Sequence, residues 1–212
     1  MYVQNTDAGS MLSDAPARSL PEVKSCDPKV WRDVFAHWRL AVDAVKRIND
    51  RLTLLEISTN RIGSWNSGPE KIWFGSFQFD HFDRLKRNMK QIQDILRDPK
   101  LTIVCDEGMK AYGKAMPGVR RIKLGSAWKS EPLPHEKTQT LIHEAAHIAG
   151  VMNFLTEARK YGADCAKQLA QQNCFKAMRN ADNYGYYALH FIGAYQNANA
   201  TRCPKSYPTR AC

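Results

Sequence analysis

The chain has 212 residues, with 31 Lys and Arg against 21 Asp and Glu, a formal net charge of +10. That length suits one domain with a core of ordinary size. A mean hydropathy of −0.50 and no apolar run near ~18 residues exclude a membrane-spanning helix, and the first twenty residues show no basic stretch leading into an apolar core, so no signal peptide is expected.

Residues 1–25 mix Asp, Ser, Pro and Gly with few large apolar side chains and read as a flexible lead-in. Asp27-Pro28 then sets up a helix start. From Val30 to about Ile57, Val34, Phe35, Trp38, Val42, Val45, Ile48, Leu52 and Leu55 recur at three- and four-residue steps, which predicts one long amphipathic helix. Gly63 to Gly75 is turn-rich with interleaved aromatics and reads as a loop. Phe79 to Leu96 returns to helical spacing, and Asp98-Pro99 ends it. Leu101–Cys105 and Val119–Leu124 read as short strands around a segment rich in Gly and Pro. Helical periodicity resumes over Lys137–Gly150 and continues to a Pro-bearing tail near Pro204. The expected fold class is α+β, mainly helical with a small sheet. Its domain would span 26–200, with 201–212 as a Cys- and Pro-bearing tail.

The six cysteines form no CxxC pair, which argues against a zinc knuckle or a thioredoxin-like centre. An even count fits three disulfides and an oxidising compartment, outside the cell or in a periplasm. Buried free thiols are the alternative.

The chemistry becomes legible at His143-Glu144-Ala145-Ala146-His147. On a helix, His143 and His147 share one face a turn apart, so their nitrogens can take two corners of a tetrahedral zinc at ~2.0–2.1 Å. Glu144 is placed beside a zinc-bound water, whose pKa falls to about 7, and would serve as general base. The flanking Leu141, Ile142, Ala145, Ala146 and Ile148 would bury these groups, and a metal offsets the cost of burying them. The expected function is a zinc-dependent endopeptidase using Zn2+ on protein or peptide substrates.

Further blocks match in order. They are Ile72-Trp73-Phe74-Gly75, Ile103-Val104-Cys105, Arg121 to Trp128, Lys137 to His147, Tyr161-Gly162, Leu169-Ala170 and Asn180-Ala181-Asp182-Asn183. With these, the chain resembles the deuterolysin and peptidyl-lysine metalloendopeptidase family, the aspzincins. The resemblance implies a zincin-like fold and a third zinc ligand from a Gly-Thr-x-Asp-x-x-Tyr-Gly motif. Here Ala158 stands where that aspartate belongs. Glu157, one position earlier, is the favoured substitute, and Asp164, just past Tyr161-Gly162, is the alternative. Loss of zinc with retention of the scaffold is a third reading.

By the same resemblance, Tyr161 would donate its hydroxyl to the oxyanion, and Asp182 would meet the substrate side chain after the cut. Gly185 replaces the second acid of that pair, so strict cleavage before lysine does not follow. A Cys26–Cys105 disulfide is also implied, and the family's second bridge is absent because Glu107 and Gly125 occupy its places. Cys165, Cys174, Cys203 and Cys212 leave three pairings, with Cys165–Cys174 and Cys203–Cys212 preferred.

A peptidase with this fold and no leader fits a secreted toxin or effector, which would have an inhibitor or immunity protein as partner. The basic charge suits an anionic envelope or acidic protein substrates. It also admits a rival from another class: a nucleic-acid- or envelope-binding protein on a degenerate metal site, with Arg84, Lys86, Arg87 and Lys90 as one basic cluster and Arg120, Arg121 and Lys123 as another. No nucleic-acid motif accompanies those clusters.

Overall fold

Asp27 begins the first helix by accepting from the backbone N–H groups of Lys29 and Val30, both at 3.0 Å, with Pro28 at the first helical position, where its missing N–H costs nothing. The structure is a computed structural model, and it describes residues 20–152 and 162–194. This helix, α1 (Pro28–Ile57), runs for 30 residues and buries the stripe that its periodicity predicts, from Val34 to Leu55.

The turn-rich stretch after it is not a loop. It folds into two short helices, α2 (Arg61–Asn66) and α3 (Pro69–Phe74), which bury Trp65, Trp73 and Phe74. Tertiary packing of large aromatics outweighs the local turn signals here. Fully buried Glu70 of α3 takes Arg51 Nε of α1 at 3.1 Å and the Tyr187 hydroxyl at 2.9 Å, so its charge is paired rather than stranded. Helix α4 (Phe79–Leu96) lies against α1, where the Trp38 indole N–H donates to the Leu96 carbonyl at 2.8 Å.

Strands β2 (Thr102–Cys105), β3 (Gly113–Ala115) and β4 (Arg121–Leu124) join β1 (Glu22–Lys24) in one sheet of order β1-β2-β4-β3. The β1–β2 and β2–β4 pairings are parallel, with Val23 opposite Ile103 and Ile103 opposite Ile122, while β3 runs antiparallel to β4. Two of these strands depart from expectation. Glu22–Lys24 belongs to the stretch read as a flexible lead-in, and Gly113–Ala115 carries almost no strand propensity. Both are held by ladder hydrogen bonds to stronger neighbours.

Helix α5 (Ser126–Ser130) leads into α6 (Pro134–Ile148), which starts one turn earlier than its periodicity indicates because Pro134 takes the first helical position. Helices α1, α4 and α9 (Ala181–His190) pack around α6, and β3 lies along it. Helices α7 (Ala163–Gln172) and α8 (Cys174–Ala177) complete the described chain. Asn183 ties α9 down by donating to the Trp73 carbonyl at 2.6 Å and the Ala166 carbonyl at 2.9 Å.

Cys26 and Cys105 form a disulfide that joins the approach to α1 to the end of β2. Cys165 and Cys174 are also disulfide-bonded, but the expected bridge between them is not formed. Cys165 sits in the first turn of α7, whereas Cys174 opens α8. The seven helical steps from Cys165 to Gln172 rise roughly 10 Å before the chain turns at Asn173, more than the ~7 Å that a bridge can span between Cα atoms. Cys203 and Cys212 lie outside the described residues. No helix among the described residues is long and apolar enough to cross a membrane.

Candidate active site

Helix α6 carries His143, Glu144 and His147, and almost every side chain around them is buried. The two imidazoles stand edge to face, with ring centroids 4.7 Å apart and planes at 85°. Their Nε2 atoms approach to 3.1 Å. Each Nδ1 faces an acceptor: His143 donates to Asp182 Oδ1 at 2.7 Å, and His147 donates to the Val151 carbonyl at 2.7 Å. Those partners fix the protons on Nδ1 and leave a lone pair on each Nε2. At this separation the two nitrogens can share a proton or take one cation between them. Outer hydrogen bonds thus hold both rings with their Nε2 atoms turned toward one point, an arrangement that suits a metal.

The electrostatics differ between the two rings. Burial and the neighbouring His143 push His147 down to about 4, so it is neutral at ordinary pH. Burial also lowers His143, but the Asp182 carboxylate outweighs it and holds that ring above the usual imidazole value. Asp182 is held below the usual carboxylate range against the penalty of burial, chiefly by His143.

Asp182, from the first turn of α9, is only 3% exposed. Its Oδ1 also accepts from the Gln139 side chain at 3.2 Å, and its Oδ2 accepts from the Gly162 backbone N–H at 3.0 Å. The structure therefore places it behind His143, with both oxygens engaged, although it also borders the cavity. Gly162 has φ +115°, in the region that favours glycine, and this turns its N–H toward the carboxylate.

Glu144 is 5% exposed and borders the same cavity, of about 500 Å³. Burial raises its pKa, and the Ala115 backbone N–H of β3 is hydrogen-bonded to it. Its Oε2 has no hydrogen-bond partner among the described residues. An orphaned buried carboxylate oxygen beside two converging imidazoles fits a site built for a metal and a water.

The remaining candidate residues separate. Glu157 and Tyr161 lie outside the described residues. Asp164 sits on the first turn of α7, with its side chain 44% exposed and paired to Lys167 at 2.8 Å. It does not border the cavity, because the helix turns it toward solvent. Among the described residues no group of three His, Cys, Asp or Glu side chains gathers as a metal site. Sequence reasoning missed the other end of the cavity, bordered by Tyr112, Glu131, Glu136, Gln139 and Tyr186. The signal at hand was spacing: Glu136 and Gln139 precede His143 by seven and four residues and so share its helix face. As for the basic clusters, Lys86 pairs with Glu56, Lys90 with Asp94, Arg120 with Asp98 and Lys123 with Asp106, so much of their charge is locally compensated.

Comparison with known proteins bears on this geometry. A zinc peptidase from Grifola frondosa superposes with a TM-score of 0.60 at 22% identity, covering 77% of this chain and 96% of that one, a likeness of fold. An extracellular protease of Aeromonas hydrophila is 26% identical over 126 residues, 58% of this chain and 36% of that protein. A peptidyl-Lys metalloendopeptidase of Armillaria mellea is 45% identical over 49 residues, 23% of this chain and 13% of that protein. The chain thus spans little more than a third, or less, of these curated relatives. The family model for lysine-specific metallo-endopeptidases matches residues 69–189, from α3 through the His-bearing helix to α9. With more than half of its length matched, the chain belongs to the lysine-specific metallo-endopeptidase family, the aspzincins.

Proposed function

We propose that the protein is a zinc-dependent endopeptidase with His143 and His147 as two metal ligands, Glu157 as the third and Glu144 as general base. The observation that carries this reading is the 3.1 Å approach of the two Nε2 atoms beside the partnerless Oε2 of Glu144. Zinc bound there would supply an acidified water and polarise the scissile carbonyl.

The chain's own residues do the rest. Asp182 and the Val151 carbonyl hold the two imidazoles in the tautomer that presents Nε2. Glu144, raised by burial, is suited to take a proton from the attacking water on a carboxylate oxygen and return it to the leaving amine. The outer edge of β3, which has no further strand beside it among the described residues, would offer the backbone groups that Glu144 does not engage to an extended substrate. Tyr161 is assigned as oxyanion donor on the family resemblance. Delivery to an oxidising compartment is supported by the Cys26–Cys105 bridge, and a toxin or effector role is a further part of the proposal that rests on analogy alone.

Metal analysis paired with peptide digestion tests the proposal. Purified protein is expected to bind about one zinc per chain, to cleave casein or a peptide library, and to stop when chelated. Glu144→Ala is expected to keep the metal and lose turnover. An active Glu144→Ala protein, or activity indifferent to chelator, overturns it.

A further inference from the structure

We propose that the first half of α1 presents a binding face for an anionic polysaccharide, a polymer of carboxylated sugars, formed by Trp31, Arg32, Phe35 and Arg39. None of these residues borders the cavity that holds His143 and Glu144, so the face is a second site rather than an extension of the first.

Its core is a stack of side chains one helical turn apart. The Trp31 and Phe35 rings are parallel within 3°, with centroids 5.6 Å apart, and the Arg39 guanidinium carbon lies 4.4 Å from the centre of the Phe35 ring. Side chains on a helix lean toward its N-terminus, so Arg39 reaches back over Phe35 and Phe35 over Trp31. Phe35 also stacks on buried Trp38 at 5.6 Å, which ties the row to the core. Trp31, at the end of the row, is 42% exposed, and its indole N–H has no partner among the described residues. An aromatic ring already held in one orientation loses little further freedom when a ligand stacks on it.

Charge supplies the second observation. Arg32 and Arg39 are exposed and lie two helical turns apart on one side of α1, about 10 Å along its axis. Neither has a carboxylate partner among the described residues. The next cations of the same helix are compensated, Lys46 by Asp50 and Arg47 by Asp43. Lys29 adds a third exposed cation, and beyond the capping Asp27 no acid occupies the first turn. Uncompensated cations gathered where the helix itself is positive suit an anion.

The nature of the anion follows from the ring. The apolar C–H face of a pyranose stacks on an indole, its hydroxyls accept from the indole N–H, and a carboxylate on the sugar fits the forked donors of Arg. A single-stranded nucleic acid calls instead for several open rings in series, whereas Phe35 is already engaged by Trp31, Trp38 and Arg39. An anionic membrane calls for a continuous apolar face. Leu40, the next large exposed apolar residue of α1, is nine residues from Trp31 and so on the opposite side of the helix.

Titration of the full chain with polygalacturonate, followed by tryptophan fluorescence and affinity electrophoresis, tests the assignment. Poly-glutamate is the control, because it carries carboxylates without sugar rings. The wild type is expected to bind polygalacturonate at least about tenfold more tightly than poly-glutamate. Trp31→Ala removes that preference, and Arg32→Gln combined with Arg39→Gln weakens polygalacturonate binding about tenfold. Equal binding of the two polymers by the wild type would mean diffuse attraction by net charge and overturns the proposal, as does a preference that survives Trp31→Ala. Tighter binding of oligothymidylate or anionic vesicles than of polygalacturonate overturns it likewise. These titrations need neither zinc nor turnover, so their outcome is independent of the peptidase reading.

Discussion

Gly113 lies so close to Glu144 that a Cβ on it would sit 2.6 Å from Oε1 and 2.7 Å from Cγ. The edge strand and the candidate base are therefore fitted to each other through the missing side chain. Gly113→Ala must displace either β3 or the carboxylate. Misplacing a catalytic group by ~1 Å costs on the order of 100-fold in rate. Steady-state kinetics are expected to show a loss of that order in kcat/KM, with zinc content retained. Wild-type kinetics in Gly113→Ala would mean that Glu144 is not held by β3.

The carboxylate behind His143 gives a second test. Asp182→Asn keeps the shape and removes the charge that orients the ring, so zinc affinity is expected to fall by about 10- to 100-fold, the usual effect of losing such a partner. A competition titration with a chromogenic chelator measures it. Selectivity among peptides that differ after the cut is expected to change little, because both Asp182 oxygens are engaged within the protein. A variant with unchanged zinc affinity and altered selectivity would return Asp182 to direct substrate contact.

The buried histidine on α4 is expected to make stability fall in acid. His81 is 1% exposed, packs edge-on against Phe175, and neither ring nitrogen has a hydrogen-bond partner among the described residues. Burial lowers its pKa below the ordinary 6.5. Well above pH 6.5 the ring is neutral in both folded and unfolded chains and contributes no pH dependence. Below it the unfolded chain takes up a proton that the folded chain resists, so stability drops as pH falls from 6.5 toward the lowered folded value. Urea denaturation at about pH 7 and about pH 5 is expected to show a smaller acid loss for His81→Phe than for the wild type. Equal losses in both would show that His81 accepts its proton without cost.

What the sequence made legible follows from which forces are local. The α1 stripe, the His143–His147 spacing and the Cys26–Cys105 bridge come from periodicity, motif and family resemblance, and each has a counterpart in the structure. Strands β1 and β3 were not readable, because Glu22–Lys24 and Gly113–Ala115 gain their conformation from β2 and β4 rather than from their own side chains. The setting of Asp182 was hidden for a different reason. Its partners His143, Gln139 and Gly162 come from other segments, and only the packing of α9 on α6 brings them together. Gly185 read as a lost acid, whereas the structure adds that Gln139 fills the vacated space.

The outer position of β1 has a consequence for handling the protein. Glu22–Lys24 is the only cover on the β2 edge of the sheet among the described residues. Trimming the chain back to α1, by protease or by design, would uncover a row of unpaired backbone groups flanked by Ile103, a template for edge-to-edge association. A nick just ahead of Leu20 would spare the strand, whereas one between Lys24 and Cys26 would detach it from the disulfide that otherwise anchors its end. Preparations shortened past Lys24 are therefore expected to self-associate, and those that begin at or before Leu20 to remain dispersed.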